Sequence, residues 1–235
     1  MSYFLTLLML LVSSPCLAGD ALRISTTLAP PLSVPEGTGM LDRLAKETFA
    51  RAGVPVTLVT LPSERGLISA ASGDTDGDIN RVAGLSVKYP ELVQVQEKNM
   101  VYEFMAFTRR QDLSVRSWDD LRGLDVGFIT GWKILEENVV ARTITKVDNP
   151  AQLFALLRND RVDVIIFDRW GGGHYLSEFG LTDVLVVEPP LAVHDMYLYL
   201  NREYQTLVPH LEQALRSIKA DGTYERIFGQ ADGRP

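Results

Sequence analysis

The sequence predicts an α/β protein with two similar lobes, each a mixed, mostly parallel sheet flanked by helices. The first observation is a repeat: residues 66–81 and residues 153–168 both have the pattern of an apolar-faced helix, a polar turn, an aspartate and a short strand. The first copy ends in Arg81 and the second in Asp168. The second observation is the order β-α-β-α-β, which occurs twice and is typical of parallel sheets covered by helices.

In the first half, periodicity and turn residues define the elements. Apolar residues alternate with polar ones from Leu22, which indicates a strand, and an apolar stripe follows in a helix that Gly53 ends. Ser63 is the cap of a second helix and Gly73 is its end. The predicted strands are 22–28, 56–61 and 77–82, the first helix is 42–52, and a crossing strand follows at 104–108.

In the second half, residues 162–167 form a fully apolar run that indicates a buried parallel strand. The other predicted strands are 124–129, 144–147, 184–187 and 196–200. Helices are predicted after Gly131, after the cap Asn149, over 170–178 following a flexible turn of three glycines, and over 203–219 as the longest helix.

The chain crosses between the halves through strands rather than a flexible linker. We expect a two-strand hinge near residues 104–108 and 193–198. The predicted lobe 1 comprises 19–106 and 194–235, and the predicted lobe 2 comprises 107–193.

Composition excludes some classes of protein. The chain has 235 residues, of which 46% are hydrophobic and 23% charged, as in globular proteins. Its formal net charge of −7 argues against nucleic-acid binding, which needs clustered Lys and Arg. We expect no cofactor, no metal site and a monomer.

The N-terminal residues 1–18 predict a cleaved signal peptide. An apolar run over 4–12, too short to span a bilayer, precedes small residues around a cleavage site after Ala18. The alternative is a short N-terminal anchor. Cys16 is the single cysteine, so the mature chain would contain no disulfide, which fits a bacterial periplasm.

Five motifs in order carry a resemblance to a known family. They are Leu22-Arg-Ile-Ser-Thr-Thr-Leu-Ala-Pro30, Gly73-Asp-Thr-Asp76, Leu121-Arg-Gly-Leu-Asp-Val-Gly-Phe-Ile-Thr-Gly131, Val162-Asp-Val-Ile-Ile-Phe-Asp168 and Ala220-Asp-Gly-Thr-Tyr224. Over about residues 20–230 the chain resembles the polar amino acid type of periplasmic solute-binding proteins (bacterial family 3). The resemblance implies the type II periplasmic-binding-protein fold, a small-molecule ligand between the lobes and an ABC permease as partner.

The resemblance also implies site residues. Asp168 falls where the family's amino-acid binders place a carboxylate for the ligand ammonium, and Thr27 lies in the family's ligand loop. The family's carboxylate-gripping arginine falls near Lys88 here, so Arg81 is predicted to serve from one turn earlier, because Arg suits carboxylates better than Lys. The alternatives are a helix-cap or hinge aspartate for Asp168, and for Arg81 a salt bridge with Asp76, Asp78 or Glu64.

Further residues complete the predicted site. Thr130 and Lys133 flank a strand–helix turn whose backbone N–H groups could hold an anion, although an ordinary turn has the same pattern. Leu28 and Glu64 occupy positions where the family often has aromatic rings, which disfavours a standard amino-acid ligand. Asn80, next to Arg81, is also predicted to contact the ligand, and Trp132 or Trp170 could supply a ring.

The sequence thus predicts an exported solute-binding protein and not an enzyme. The ligand is small, polar and carboxylate-bearing or zwitterionic, and is captured between the lobes for an ABC importer. One alternative is a periplasmic enzyme similar to cyclohexadienyl dehydratase, with Glu64 as its acid or base. The other is a ligand-sensing accessory protein.

Overall fold

The computed structural model describes residues 20–27 and 29–229, and only the backbone of Lys133. The predicted signal peptide with Cys16, and also Leu28, lie outside the described residues. The strands are β1 Leu22–Thr26, β2 Val56–Thr60, β3 Gly77–Val82, β4 Leu92–Gln94, β5 Met100–Thr108, β6 Asp125–Ile129, β7 Thr143–Val147, β8 Val164–Asp168 and β9 Leu185–Asn201. The helices are α1 Met40–Arg51, α2 Ser63–Ser72, α3 Lys133–Asn138, α4 Pro150–Arg158, α5 Arg169–Glu178, α6 Val208–Ala220 and α7 Thr223–Phe228. Short 3₁₀ turns occupy Leu85–Val87, Trp118–Leu121 and Arg202–Leu207.

The strands form one continuous mixed sheet with two similar ends. Its order is β2-β1-β3-β9-β5-β8-β6-β7, and β4 pairs with β9. At one end β1 lies between β2 and β3, and at the other β6 lies between β7 and β8; all four of these pairings are parallel. The long strands β5 and β9 pair antiparallel and join the two ends. The predicted two-lobed α/β fold is confirmed.

The predicted repeat has a shared structural role for its aspartate. In the first copy the Asp76 carboxylate accepts the Arg23 backbone N–H at 2.6 Å, at the start of β1. In the second copy the Asp163 carboxylate accepts the Asp125 N–H at 2.9 Å, at the start of β6. Each aspartate therefore holds the strand that follows it beside the central strand of the same sheet end: Asp76 holds β3 beside β1, and Asp163 holds β8 beside β6.

Separate hydrophobic cores lie under the two sheet ends. Leu44 and Phe49 of α1 pack in one cluster with Leu211 and Ile218 of α6, so the C-terminal helices return to the first end. At the second end the clusters include Phe128 of β6 and, separately, Phe154 of α4. The residue limits proposed for the lobes remain a prediction.

One strand replaces two predicted ones near the hinge. Residues 184–187 and 196–200 are predicted as separate strands, whereas the single strand β9 runs from Leu185 to Asn201. The β5–β9 register shifts between the Phe104 and Ala106 pairings. The prolines lie in this bulge, where a missing N–H donor is tolerated.

The predicted glycine turn is wrong, because the glycines belong to α5. A Cβ on Gly172 would lie 2.0 Å from the Phe107 ring, and one on Gly171 would lie 2.6 Å from the Asp168 carboxylate. Gly171 and Gly172 therefore permit close packing of a helix on β5 and β8, which outweighs their low helix propensity.

The predicted longest helix also differs. Residues 202–207 form a 3₁₀ turn and α6 begins only at Val208. Pro209 explains the boundary, because its missing N–H and ring are accommodated only in the first turn of an α-helix.

Candidate functional site

A cavity of about 280 Å³ lies between the two ends of the sheet. Its lining residues are Thr26, Thr27, Ala29, Leu32, Leu41, Ser63, Ile79, Asn80, Arg81, Tyr102, Trp132 and Met196. Most of them belong to the first end, Trp132 belongs to the second, and Tyr102 and Met196 come from the joining strands β5 and β9. Three predicted site residues, Thr27, Asn80 and Arg81, meet in this cavity.

Most N–H groups of the Arg81 guanidinium donate hydrogen bonds to other residues of the protein. Nε and Nη2 donate to the two carboxylate oxygens of Asp78 at 2.6 and 2.8 Å. Nη2 also donates to the Ser63 carbonyl at 2.7 Å, and Nη1 donates to the Ser63 hydroxyl at 2.5 Å. Since a guanidinium has five N–H groups, one on Nη1 is left for the cavity. The ion pair that the sequence left as an alternative therefore forms, and its partner is Asp78.

Asp78 is completely buried beneath Arg81. Burial raises the pKa of its carboxyl, and the hydrogen bond and charge of Arg81 oppose that rise. The Ser25 hydroxyl donates to the same carboxylate at 2.9 Å. The arrangement fixes the direction of the Arg81 side chain and leaves the pair with no net charge when Asp78 is ionised.

Two other polar side chains contribute unused hydrogen-bonding groups to the cavity. Thr26 is 2% exposed, and its hydroxyl has no partner among the described residues. Asn80 has a left-handed φ of 74°, which Asn tolerates better than most residues. Its Oδ1 accepts from Asn99 at 3.2 Å, whereas its Nδ2 donates to no described residue. Together with Arg81 Nη1 these groups make the cavity rich in donors.

Asp168 caps helix α5, which was the alternative to ligand contact for this residue. It is 4% exposed, its carboxylate accepts the Gly171 N–H at 2.8 Å at the start of α5, and it hydrogen-bonds the Tyr102 hydroxyl. Burial raises the pKa of its carboxyl to about 6, against the lowering effect of these hydrogen bonds. Burial, and next the charge of Asp168, raise the pKa of Tyr102. Tyr102 lines the cavity and Asp168 does not, so contact of Asp168 with a ligand remains a prediction without geometric support.

The predicted anion site at the start of α3 is filled by the protein itself. The Gly131 N–H donates to the Glu136 carboxylate at 3.2 Å, and the Thr130 hydroxyl donates to the Val147 carbonyl at 3.1 Å. Lys133 begins α3, and its side chain lies outside the described part of the chain. A carboxylate from the first turn of the helix thus takes the position expected for a ligand anion.

Glu64 and Lys88 lie away from the cavity lining. Both side chains are exposed. Glu64 lies in the first turn of α2, and the Lys88 ammonium lies 5.2 Å from the centre of the Tyr89 ring. Neither position supports the predicted ligand contact.

Eight of the twelve lining residues were not predicted as site residues: Thr26, Ala29, Leu32, Leu41, Ser63, Ile79, Tyr102 and Met196. Ser63 was predicted only as a helix cap, and Thr26 only as a strand residue. Tyr102 and Met196 enter because β5 and β9 pair across the hinge, with Met100 opposite Met196 and Tyr102 opposite His194. Such long-range pairing leaves no local sequence signal.

Two searches of the described residues were negative. Across residues 20–27 and 29–229, no helix has the length and apolar character needed to cross a membrane. Within the same residues, no group of three His, Cys, Asp or Glu side chains is arranged to hold a metal ion.

Comparison of sequences finds distant relatives. No protein-family model matches the chain. It is 23% identical over 200 residues to an uncharacterized protein of Shewanella oneidensis, covering 78% of this chain and 72% of that protein. It is 24% identical over 156 residues to ABC transporter arginine-binding protein 1 of Escherichia coli, covering 63% of this chain and 64% of its relative.

Comparison of structures finds close similarity of fold. The ligand-binding core of GluR0 in complex with L-glutamate matches with a TM-score of 0.79 and 15% identity, over 92% of this chain and all of the other. An ancestral arginine-binding protein bound to arginine matches with a TM-score of 0.70 and 22% identity, over 91% and 98% of the chains. A histidine kinase sensor domain with similarity to periplasmic binding proteins matches with a TM-score of 0.71 and 16% identity, over 91% and 96%. The chain therefore has the type II periplasmic-binding-protein fold.

Proposed function

We propose that the protein is an exported solute-binding protein that captures a small carboxylate-bearing or zwitterionic molecule between its lobes. The observation that carries the proposal is the cavity between the two sheet ends, where Arg81, Asn80 and Thr26 present hydrogen-bonding groups that have no partner among the described residues. A buried hydroxyl without a partner is costly, so a ligand or water that bonds to it is favoured.

The chemistry of the lining supports a carboxylate as the group that binds here. The available groups are one guanidinium N–H, an amide N–H₂ and a hydroxyl, and the first two only donate. A carboxylate only accepts, and bonds to a charged donor are stronger than neutral ones. Because Asp78 and Ser63 already accept four of the five N–H groups of Arg81, the ligand would receive a single N–H from Arg81 rather than a bidentate grip.

Transport is the context that the comparisons support. The Escherichia coli relative is an arginine-binding protein of an ABC transporter, and residues 1–18 have the pattern of a signal peptide. We therefore infer a periplasmic location and an ABC permease as partner. The ligand need not be arginine, because identity at this level leaves the site free to differ.

Ligand sensing is a second candidate, favoured by the structural similarity to a histidine kinase sensor domain. The same capture step would then signal to a membrane partner. Copurification with a permease or with a sensor kinase separates the two roles. An enzyme is less well supported, because Glu64 is exposed and lies outside the cavity lining.

The test is calorimetric titration of the purified protein with L-amino acids and small carboxylic acids. We expect at least one to bind. The double variant Asp78→Asn, Arg81→Gln should bind that ligand about tenfold or more weakly, because it lacks the charged donor. Both charges are replaced together, since removing one would leave the other buried without a partner.

The matched control is Asp119→Asn with Arg122→Gln. This pair has the same spacing, and Arg122 likewise uses Nε and Nη2 at 3.0 and 2.9 Å, but it is exposed and does not line the cavity. It should leave affinity unchanged. The proposal fails if no compound binds, or if the cavity double variant retains full affinity.

A further inference from the structure

A second, larger cavity adjoins the donor-rich one. It has a volume of about 600 Å³. Its lining residues are Val82, Tyr102, Phe104, Trp118, Ile134, Glu137, Asn138, Ala192, His194 and Met196. Tyr102 and Met196 line both cavities. Seven of these ten residues are apolar or aromatic, and the other three are Glu137, Asn138 and His194. This cavity is therefore mainly apolar, whereas the first is rich in hydrogen-bond donors.

The hinge strands make the two cavities parts of one surface. On β5 and β9, Tyr102 is opposite His194 and Phe104 is opposite Ala192. Directly opposed residues point to the same face of a sheet, and so do residues two apart on one strand. Tyr102, Phe104, His194 and Ala192 therefore share the face that forms the floor of the cleft.

Aromatic contacts continue across the boundary. The Tyr102 and Phe104 rings lie edge to face at 5.4 Å, and the Phe104 and Trp132 rings at 5.7 Å. Trp132 lines the donor-rich cavity and Phe104 lines the apolar one. A molecule that spans both would meet a continuous aromatic wall.

Apolar surface at this place is open to solvent. Val82 is 42% exposed although it directly follows Arg81 in β3. The polar side chains of Glu137 and Asn138 are exposed, and the His194 and Phe104 rings are nearly perpendicular with their centroids 6.1 Å apart. A charged group placed among Tyr102, Phe104 and Trp118 would lose water and gain few hydrogen bonds, whereas an apolar group would gain from burial.

We propose that the ligand carries an apolar group, aromatic or branched aliphatic, that occupies this second cavity while its carboxylate bonds near Arg81. This rests on the proposed function and specifies the class of its ligand. The preferred ligands are then acids and amino acids with large apolar side chains, in contrast to the arginine and glutamate of the structural neighbours.

The first experiment compares L-phenylalanine with L-alanine, which share one head group, by calorimetry. We expect phenylalanine to bind at least about tenfold more tightly, as burial of a ring predicts. Val82→Asn should reduce that ratio severalfold by lowering affinity for phenylalanine alone. The control Ile144→Asn changes a side chain that is 43% exposed on β7, outside both cavities, and should leave the ratio unchanged.

The second experiment uses fluorescence. The three tryptophans are Trp118, Trp132 and Trp170, and Trp118 lines the apolar cavity. Phenylalanine should change the emission of the parent protein more than alanine does, and Trp118→Phe should remove that difference.

The outcomes separate this inference from the proposed function. If alanine, glutamate or arginine binds as tightly as phenylalanine and Val82→Asn has no selective effect, the apolar class is overturned while solute binding stands. If no compound of the panel binds, the proposed function fails, and this inference with it.

Discussion

Arg81 and Asp78 form a buried unit in which each side chain supports the other. Asp78 is fully buried, and the side chain of Arg81 is 11% exposed. Loss of one member of such a pair typically costs about 3–5 kcal/mol, because the remaining charge stays buried. The pair therefore positions one donor at the cavity wall, and its contribution to stability is inseparable from that role.

Asp168 should make stability depend on pH. Its pKa is raised to about 6 by burial, compared with about 3.9 in an unfolded chain. Between these values the folded chain holds a proton that the unfolded chain has released, so stability from this group is highest at low pH and falls as pH rises through about 4 to 6. The free energy of unfolding of Asp168→Asn, relative to that of the parent, should therefore rise by up to about 3 kcal/mol from pH 4 to pH 7.5. Urea unfolding at the two pH values measures this change.

Asp125→Asn provides a control of opposite sign. The Arg142 hydrogen bond, followed by that of Thr143, lowers the pKa of Asp125 to about 2. Its stabilisation is therefore present above about pH 4 and is lost as pH falls through about 2, so this variant should be less stable than the parent at neutral pH. A pH-independent difference for Asp168→Asn would contradict the buried, ionising carboxyl.

At the scale of elements, the approach of α2 to β3 depends on Gly66. A Cβ at this position would lie 2.4 Å from the Asp78 carboxylate, 3.2 Å from Arg81 Nη2 and 3.2 Å from the Ser25 hydroxyl. The helix that carries Ser63 can therefore lie against the ion pair only because residue 66 has no side chain.

Gly66→Ala should destabilise the protein by about 1–3 kcal/mol through overpacking and should weaken ligand binding, because Arg81 must shift. Gly173→Ala is the matched control: it also lies within a helix, but a Cβ there meets nothing within 4 Å. It should be neutral or stabilising by up to about 1 kcal/mol. Thermal or urea unfolding compares them, and equal effects of the two variants would exclude the close approach as the reason for Gly66.

At the scale of the whole molecule, the sheet ends have separate cores and are joined through two long strands and the packing of Trp170 of α5 against Phe228. The clusters around Phe49 and around Phe128 share no buried residue, and β5 and β9 connect the sheet ends. Arg169 bridges these strands through Glu103 and Glu188. This architecture permits the sheet ends to rotate about the strands.

Ligand binding should close the cleft. A ligand that contacts Arg81 on one side and Trp132 on the other favours the closed form only through contacts made with both. At a hundred times the dissociation constant it should add about 2.7 kcal/mol of stability, and small-angle scattering should show a smaller radius of gyration. At that ligand concentration an Asp78→Asn, Arg81→Gln variant that binds tenfold more weakly should gain only about 1.4 kcal/mol, and an unchanged radius in the parent would exclude closure.

The sequence by itself determined the alternation of strands and helices, the internal repeat and the two-lobed α/β fold. These follow from local periodicity and turn residues such as Gly53 and Gly73, which act within a few residues along the chain. Arg81 and its neighbour Asn80 were predicted because their strand leads to the edge where ligands sit in open sheets, and Thr27 was predicted from the family resemblance.

Only the tertiary structure decided which partners the charged residues of the predicted site bind. Asp78 pairs with Arg81, Glu136 accepts the Gly131 N–H just before α3, and Asp168 caps α5. A charge near a site binds whichever partner is closest in space, and a protein carboxylate a few residues away is always available at high local concentration. The apolar cavity likewise exists only because β5 and β9 pair across the hinge, through contacts between residues about 90 positions apart that no local pattern encodes.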